Sequence, residues 1–300
     1  MNNKAYRRLM FTVAKVLSLL FFSIVLISCF DRQSGESARS GQMTLALDRQ
    51  FGDVAGRQAE YFTRYYPDAR ITLKLSASGK TLKHVLEHNA RAALISGKIE
   101  AGEDSLFSKK NRPLRCEPVA IDAIVCIVNR KNPLSSLSKK ELVFFCSDKE
   151  MNGENVLLTA DDYRLRSVLA SHLGINKKNL RARGCSSETE LIKRVSNDTK
   201  AVGLLFLSSL YGVHGEGIAR QDFKIIPLAQ DSALAHPYMP TQQAIFEGRY
   251  PLITIVYYVY YSGDALAAGF GSWLTSSGQK IFEKSSLAPY RPIERTIILN

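Results

Sequence analysis

The chain of 300 residues has only five cysteines, and none forms a CxxC pair or a zinc-knuckle spacing. Metal centres built on those spacings are therefore excluded. GxSxG is absent, and no Ser-His-Asp arrangement can be assigned by spacing, so a serine-hydrolase reading has no support. No internal repeat is visible, which argues against a solenoid or propeller. No apolar run reaches the roughly 20 residues of a membrane-spanning helix. The longest N-terminal run, 16–27, is a dozen residues. Basic residues outnumber acidic ones, 40 against 28. They are scattered along the chain, without a recognition helix or an aromatic-basic platform, so nucleic acid is not expected as a partner.

Acidic residues are missing altogether from the first 30 positions, where Lys4, Arg7, Arg8 and Lys15 precede the apolar run. A basic n-region followed by a short apolar h-region is the layout of a signal peptide. Leu26-Ile27-Ser28-Cys29 comes next and resembles the bacterial lipobox, which implies diacylglycerol attachment at Cys29 after removal of residues 1–28. Phe30, not Asp, follows the cysteine, so the choice between inner and outer membrane stays open. Loss of four basic residues reduces the formal charge from +12 to about +8. A surplus of that size favours anionic ligands and lipid headgroups. Four further cysteines, Cys116, Cys126, Cys146 and Cys185, would lie in a compartment that permits disulfides. Three pairings are open, with Cys146–Cys185 favoured, while Cys126 inside AIVCIV reads as a buried thiol.

Residues 29–42 are polar and rich in Ser and Gly and read as a lipidated flexible tether with a reach of roughly 20 Å. Beyond it, MTLALD, ITLKLS and AALIS read as strands separated by helices at 54–65 and 82–89. Such alternation predicts a parallel sheet with crossover helices. A long apolar strand at 119–128 leads to a turn at Asn132-Pro133, then to helices near 139–145, 166–173 and 188–195, with strands at 156–158, AVGLLFL and FKIIPL. YPLITIVYYVYY reads as a buried strand, and helices carrying Trp273 and residues 279–284 follow. Alternation along the strand sends half of its tyrosines into the core, which disfavours a sugar-stacking platform.

Four separated segments together resemble the periplasmic phosphate-binding proteins of ABC uptake systems, a PstS-like, type II solute-binding family. They are IDAIVCIVNRKNPLSSLSKKELVFFCS (121–147), KAVGLLFLSSL from Lys200, YPLITIVYYVY from Tyr250 and FGSWLTSSGQKIFEKSSLAP from Phe270. The resemblance implies a two-lobed α/β fold, each lobe a mixed sheet flanked by helices, joined by two crossover segments. It divides the chain into 43–118 and 233–300 for lobe 1 and 119–232 for lobe 2. It implies a monomeric, non-enzymatic binder without cofactor or metal, lipid-anchored on the periplasmic face of a membrane. Inorganic phosphate or a related oxyanion would be its ligand, and an inner-membrane ABC permease its partner.

The resemblance places a Gly/Ser/Thr-rich anion loop at Ser76-Ala77-Ser78-Gly79-Lys80-Thr81, where hydroxyls and N–H groups at a helix start favour an anion. A plain helix cap accounts for the same residues. Ser96 matches a further contact, but Gly97 and Lys98 stand where the family carries Asp or Arg. A carboxylate acceptor is needed to tell protonated phosphate from sulfate, and Asp161 or Asp162 is the substitute at hand. The second-lobe loop, Thr159 to Ser167, lacks the family's small residues and offers Arg164 and Arg166 as anion contacts. That eroded loop supports an alternative, a scaffold or sensor lipoprotein that keeps the fold without a ligand. A remote alternative is a zinc hydrolase using His84-Val85-Leu86-Glu87-His88, which fits HxxEH, though the apolar stripe Leu82, Val85, Leu86 turns both histidines outward.

Overall fold

The computed structural model describes residues 36–109, 113–147, 155–160, 162–212, 222–230 and 236–292. Cys29, most of the expected tether and Asp161 lie outside the described residues. The elements are β1 (Gly41–Asp48), a 3-10 turn (Arg49–Phe51), α1 (Gly52–Tyr65), β2 (Ala69–Ser76), α2 (Thr81–Leu86), β3 (Ala92–Ser96), α3 (Ala101–Ser108) and β4 (Leu114–Asn129). After these come β5 (Leu137–Ser138), α4 (Lys139–Ser147), β6 (Val156–Thr159), α5 (Tyr163–Leu173), β7 (Arg183–Cys185), α6 (Glu188–Asn197), β8 (Val202–Phe206), α7 (Leu207–Gly212), β9 (Phe223–Ile226) and β10 (Leu228–Ala229). The chain closes with α8 (Gln242–Phe246), β11 (Ile253–Tyr261), α9 (Ala265–Leu274), α10 (Gln279–Glu283) and β12 (Ala288–Pro289).

Strand β4 organises the molecule because its two halves serve different partners. Its first half pairs antiparallel with β11 and β12, and its second half with β8 and β9. The strand order is β2-β1-β3-β11-β4-β8-β6-β7. In the first lobe β1, β2 and β3 are parallel, and β11 enters antiparallel between β3 and β4. The fold is thus the expected two-lobed α/β class. Its sheets are mixed, because β11 arrives from the second lobe and runs against its neighbours. The β4–β11 register slips between Val256 and Tyr257, opposite Ala120 and Pro118. Pro118 has no N–H to give the ladder, which is where a bulge is tolerated.

Period-two alternation splits the first-lobe core into two layers. Leu45, Leu47, Leu94 and Tyr258 pack with Phe62, Phe270 and Trp273 on one face. Ala46, Ala93, Ile95 and Val259 pack with Leu82 and Val85 on the other. Tyr258, Tyr260 and Tyr261 are all buried, because β11 is covered on both faces. Two of the hydroxyls are engaged inside: Tyr258 donates to the Ala267 carbonyl and Tyr260 to Glu117. The Gly278-Gln279 segment is fixed the same way. Gln279 Nε2 donates to the Val119 carbonyl at 2.9 Å, and Gln58 bridges the Trp273 indole and the Gly278 carbonyl, each at 2.9 Å.

Three expectations change. Cys146 and Cys185 are not bonded; Cys116, Cys126, Cys146 and Cys185 are all free thiols, the last three buried. The ordered body begins before Met43, since Gly41 and Gln42 already pair with Ala69 and Arg70 in a parallel ladder. The helix carrying HxxEH ends at Leu86, and His88 has a φ of 60°, so the two histidines do not share a helical face. Among the described residues no group of three or more metal-ligating side chains occurs, and no helix is long and apolar enough to cross a membrane.

Candidate functional site

The strands β1, β2 and β3 end together, which brings Asp48, Ser76 and Ser96 to one edge of the first lobe. The carboxyl ends of strands in open α/β sheets are where ligands sit. Opposite them stands the start of α5 in the second lobe, where Asp162 caps the helix and accepts from Leu165 N at 2.9 Å. Ser78 spans the gap. Its hydroxyl donates to Asp162 Oδ1 at 2.8 Å and accepts from Arg164 N at 3.1 Å. Behind it, Asp48 is fully buried and accepts from Thr81 Oγ1 at 2.6 Å and from Ser96 N at 3.1 Å. Gln50 donates to Ser96 Oγ at 3.1 Å. A third buried carboxylate, Asp122 on β4, accepts from Ala123 N at 2.8 Å and from the Ser208 hydroxyl.

Burial dominates the electrostatics. It pushes Asp48 up to about 7, against the hydrogen bonds from Thr81 and Ser96 that favour the ionised form. Burial likewise raises Asp162 to about 6 and Asp122 to about 6. Lost hydration disfavours the charged form, and these donors compensate only in part.

At the rim the two lobes are clasped. Arg164 is 1% exposed, and its guanidinium donates to the Lys98 carbonyl at 2.8 Å and to Glu103 Oε1 at 2.6 Å. Glu100 accepts from the Tyr163 hydroxyl and from Lys177 Nζ at 3.1 Å. Burial would raise the Glu100 carboxyl, but the hydrogen bonds from Ser167, Tyr163 and Lys177 outweigh it and hold it low. Glu100 and Glu103 form the capping box of α3, so the residues that start this helix also hold the second lobe. Gly97 makes the close approach possible: its φ is +74°, and a Cβ there would stand 2.8 Å from Val168.

Beside the Ser78–Asp162 pair lies a recess of about 50 Å³, lined by Arg49, Gln50, Ser76, Ser78, Thr159, Asp162 and Glu188 among others. Thr159 is 7% exposed, and its hydroxyl has no hydrogen-bond partner among the described residues. Such a group is costly unless something completes it. A second cavity, of about 380 Å³, lies beside the clasp, between β11 and α5.

Of the residues singled out from the sequence, Ser76, Ser78 and Asp162 line the recess together. Thr81 and Ser96 stand behind it, engaged with Asp48. Gly79 and Lys80 are exposed. Arg164 turns its side chain toward Glu103, and Arg166 donates to the Leu180 carbonyl at 3.2 Å, so neither guanidinium reaches the recess. Asp48, Gln50, Glu100 and Glu103 were not foreseen. Asp48 carried a readable signal, a carboxylate closing the first strand of an α/β sheet. The glutamates had none, because their partners lie 61 and 77 residues away in sequence.

The profile of the PBP superfamily domain matches residues 32–277. The chain belongs to the PBP superfamily. Its PBP fold is shared with a protein of Clostridium perfringens named as a phosphate ABC transporter substrate-binding protein and solved with bound phosphate. The TM-score is 0.64 at 16% identity, covering 84% of this chain and all of that one. An ABC-type phosphate transport receptor from Vibrio cholerae gives a TM-score of 0.61 at 18% identity, covering 82% of this chain and 99% of that one. In sequence the chain is 26% identical over 223 residues to Protein SphX of Synechococcus elongatus, which takes in 69% of this chain. It spans 64% of the length of that curated relative.

Proposed function

We propose that this PBP-superfamily protein is the substrate-binding component of an ABC-type uptake system, taking inorganic phosphate or a related oxyanion between its lobes and handing it to a membrane permease. It acts as a binder and not as an enzyme, on the periplasmic side, held to a membrane by lipid on Cys29. The observation that carries the reading is the recess itself: an unpartnered Thr159 hydroxyl, the Ser76 and Ser78 hydroxyls and the Asp162 carboxylate converge on one small polar space between the lobes. The Thr159 and Ser76 hydroxyls offer donors to an oxyanion, and Ser78 joins them once its hydrogen bond to Asp162 is released. Asp162 offers an acceptor, which a protonated phosphate can satisfy and a fully ionised sulfate cannot. The names of the two structural neighbours agree with such a ligand.

Thermal melts of the purified protein with phosphate and with sulfate test this. Phosphate at 100 times its dissociation constant should add about 2.7 kcal/mol of stability. Sulfate should add little to the wild type and should gain in Asp162→Asn, where the charge that repels it is gone. A protein indifferent to both anions would sink the reading.

One observation favours a second reading, a sensor or scaffold that keeps the fold without a ligand. Ser78, Thr81 and the Ser96 N–H, the donors an oxyanion would use, are engaged by the chain's own Asp162 and Asp48. Absence of any oxyanion response, together with lobes that stay closed in solution scattering, would select it.

A further inference from the structure

We infer that the cavity between β11 and α5 is a second ligand site, separate from the recess, that takes a small amphipathic monoanion such as a short-chain carboxylate. The cavity shares no lining residue with the recess, so the site goes beyond the oxyanion reading and does not depend on it. Its volume, about 380 Å³, falls within the roughly 300–1,000 Å³ typical of small-molecule sites.

The walls define the apolar half of the ligand. Ile253, Ile255 and Tyr257 are alternate residues of β11, and all three are half-buried where they line the cavity. Ile253 and Tyr257 also pack against hydrophobic cores, whereas Ile255 belongs to none of the three cores among the described residues. Val168 on α5, half-buried as well, lines the same space. A hydrocarbon chain laid along these side chains removes apolar surface from water and supplies the dispersion contacts that Ile255 otherwise lacks.

The charged residues define the other half. Glu100 is engaged by Lys177 and the Tyr163 hydroxyl, and Arg164 by Glu103 and the Lys98 carbonyl. His172 donates its Nε2–H to the Ile253 carbonyl at 2.6 Å, and burial lowers its pKa, so it brings no charge at neutral pH. Lys98 remains. Its side chain is exposed and makes no ion pair among the described residues. One surplus cation beside a strip of apolar side chains matches a ligand with one negative charge and a hydrocarbon body. A dianion would find no second free cation there.

The position gives such a ligand a consequence. Ser96 and Lys98 come from the first lobe, Val168 and His172 from the second, and β11 runs between them. An occupant touching all three favours the arrangement in which the lobes meet, which is also the arrangement that sets Ser78 against Asp162. By linkage, it strengthens binding at the recess.

The test titrates the purified full chain with hexanoate, 1-hexanol and hexylammonium by calorimetry, and with inorganic phosphate in the presence and absence of hexanoate. Hexanoate should bind about fivefold more tightly than 1-hexanol, the scale of one exposed ion pair. It should also bind on the order of tenfold more tightly than butanoate, as two further buried methylenes require. Lys98 is exposed, so its variants keep the fold. Lys98→Met should erase the lead of hexanoate over 1-hexanol, and Lys98→Glu should pass that lead to hexylammonium. Saturating hexanoate should tighten phosphate binding about fivefold. Hexanoate that fails to bind, or that binds both variants as well as the wild type, overturns the inference and leaves the oxyanion reading standing. Hexanoate binding that leaves phosphate affinity unchanged overturns the linkage. A protein that takes hexanoate through Lys98 but responds to no oxyanion loses the reading of the recess and keeps the second site.

Discussion

Replacing Asp48 by asparagine isolates the cost of keeping a carboxylate under the cleft. Asp48 is fully buried, and its two close donors, Thr81 Oγ1 and Ser96 N, do not offset the lost hydration, so it titrates near 7 instead of 3.8. About three units at 1.36 kcal/mol each amount to about 4 kcal/mol. Because the folded value is raised, the native state holds this proton more tightly than the unfolded chain does. The contribution is fully present below about 3.8, is lost as pH rises through about 7, and leaves the ionised native form at its full disadvantage above that.

Asparagine cannot ionise, so its own cost, from placing an amide donor near Thr81, is independent of pH. The assay is urea unfolding of wild type and Asp48→Asn between pH 4 and 8, read as the difference in unfolding free energy at each pH. That difference should shift by about 4 kcal/mol in favour of the variant from the acid to the alkaline end. His84 and His172, whose pKa values burial lowers, favour the folded state less as pH falls through 6.5, but both proteins share them and the difference cancels them. A difference that stays flat within about 1 kcal/mol would refute the assignment of Asp48 as a carboxylate kept protonated by burial.

Glu103→Gln removes the charge facing Arg164, which is 1% exposed, and should destabilise by about 3 kcal/mol in chemical denaturation. Replacing Arg164 by methionine in the same protein should recover part of that loss, since the uncompensated buried charge is then gone. Gly203→Ala on β8 should cost about 1–3 kcal/mol in the same assay. Its Cβ would stand 2.7 Å from Leu191 and 2.9 Å from both Ile127 and Val195, all side chains of a packed core.

Most of the secondary structure was legible because it follows from local pattern. AALIS is a strand and nothing else at five buried residues, and the span 188–195 was visible from the stripe Leu191, Ile192, Val195. α3 was not visible. AGEDSLFS has little apolar content, and its start is set by the reciprocal Glu100 and Glu103 cap, with Phe107 as its one buried residue. The cleft was half legible. Ser78 and Asp162 could be suspected from their places before helices, yet nothing local says that they bond across 84 residues. Arg164 shows the limit from the other side. Residue type suggested an anion contact, whereas Glu103 and the Lys98 carbonyl, both distant in sequence, claim its guanidinium. The disulfide expectation failed for the same reason, because spacing carries no information on where two thiols lie in space.

The balance of charge in the cleft explains how an acidic site can still suit an anion. Arg49 is the basic residue that lines the recess, and it stands there with two carboxylates, Asp162 and Glu188. Burial raises Asp48, Asp122 and Asp162 alike, and the charge of Asp162 adds to the rise of the other two. Under the proposed function, a phosphate that brings its own proton finds an acceptor in Asp162. A permanently ionised oxyanion, under the same function, has no proton to offer the Asp162 carboxylate and is disfavoured by its charge. A site with more carboxylates than cations obtains discrimination from repulsion as well as attraction. Under the proposed function, the basic surplus, about +8 once residues 1–28 are removed, acts at a distance to draw anions toward the cleft.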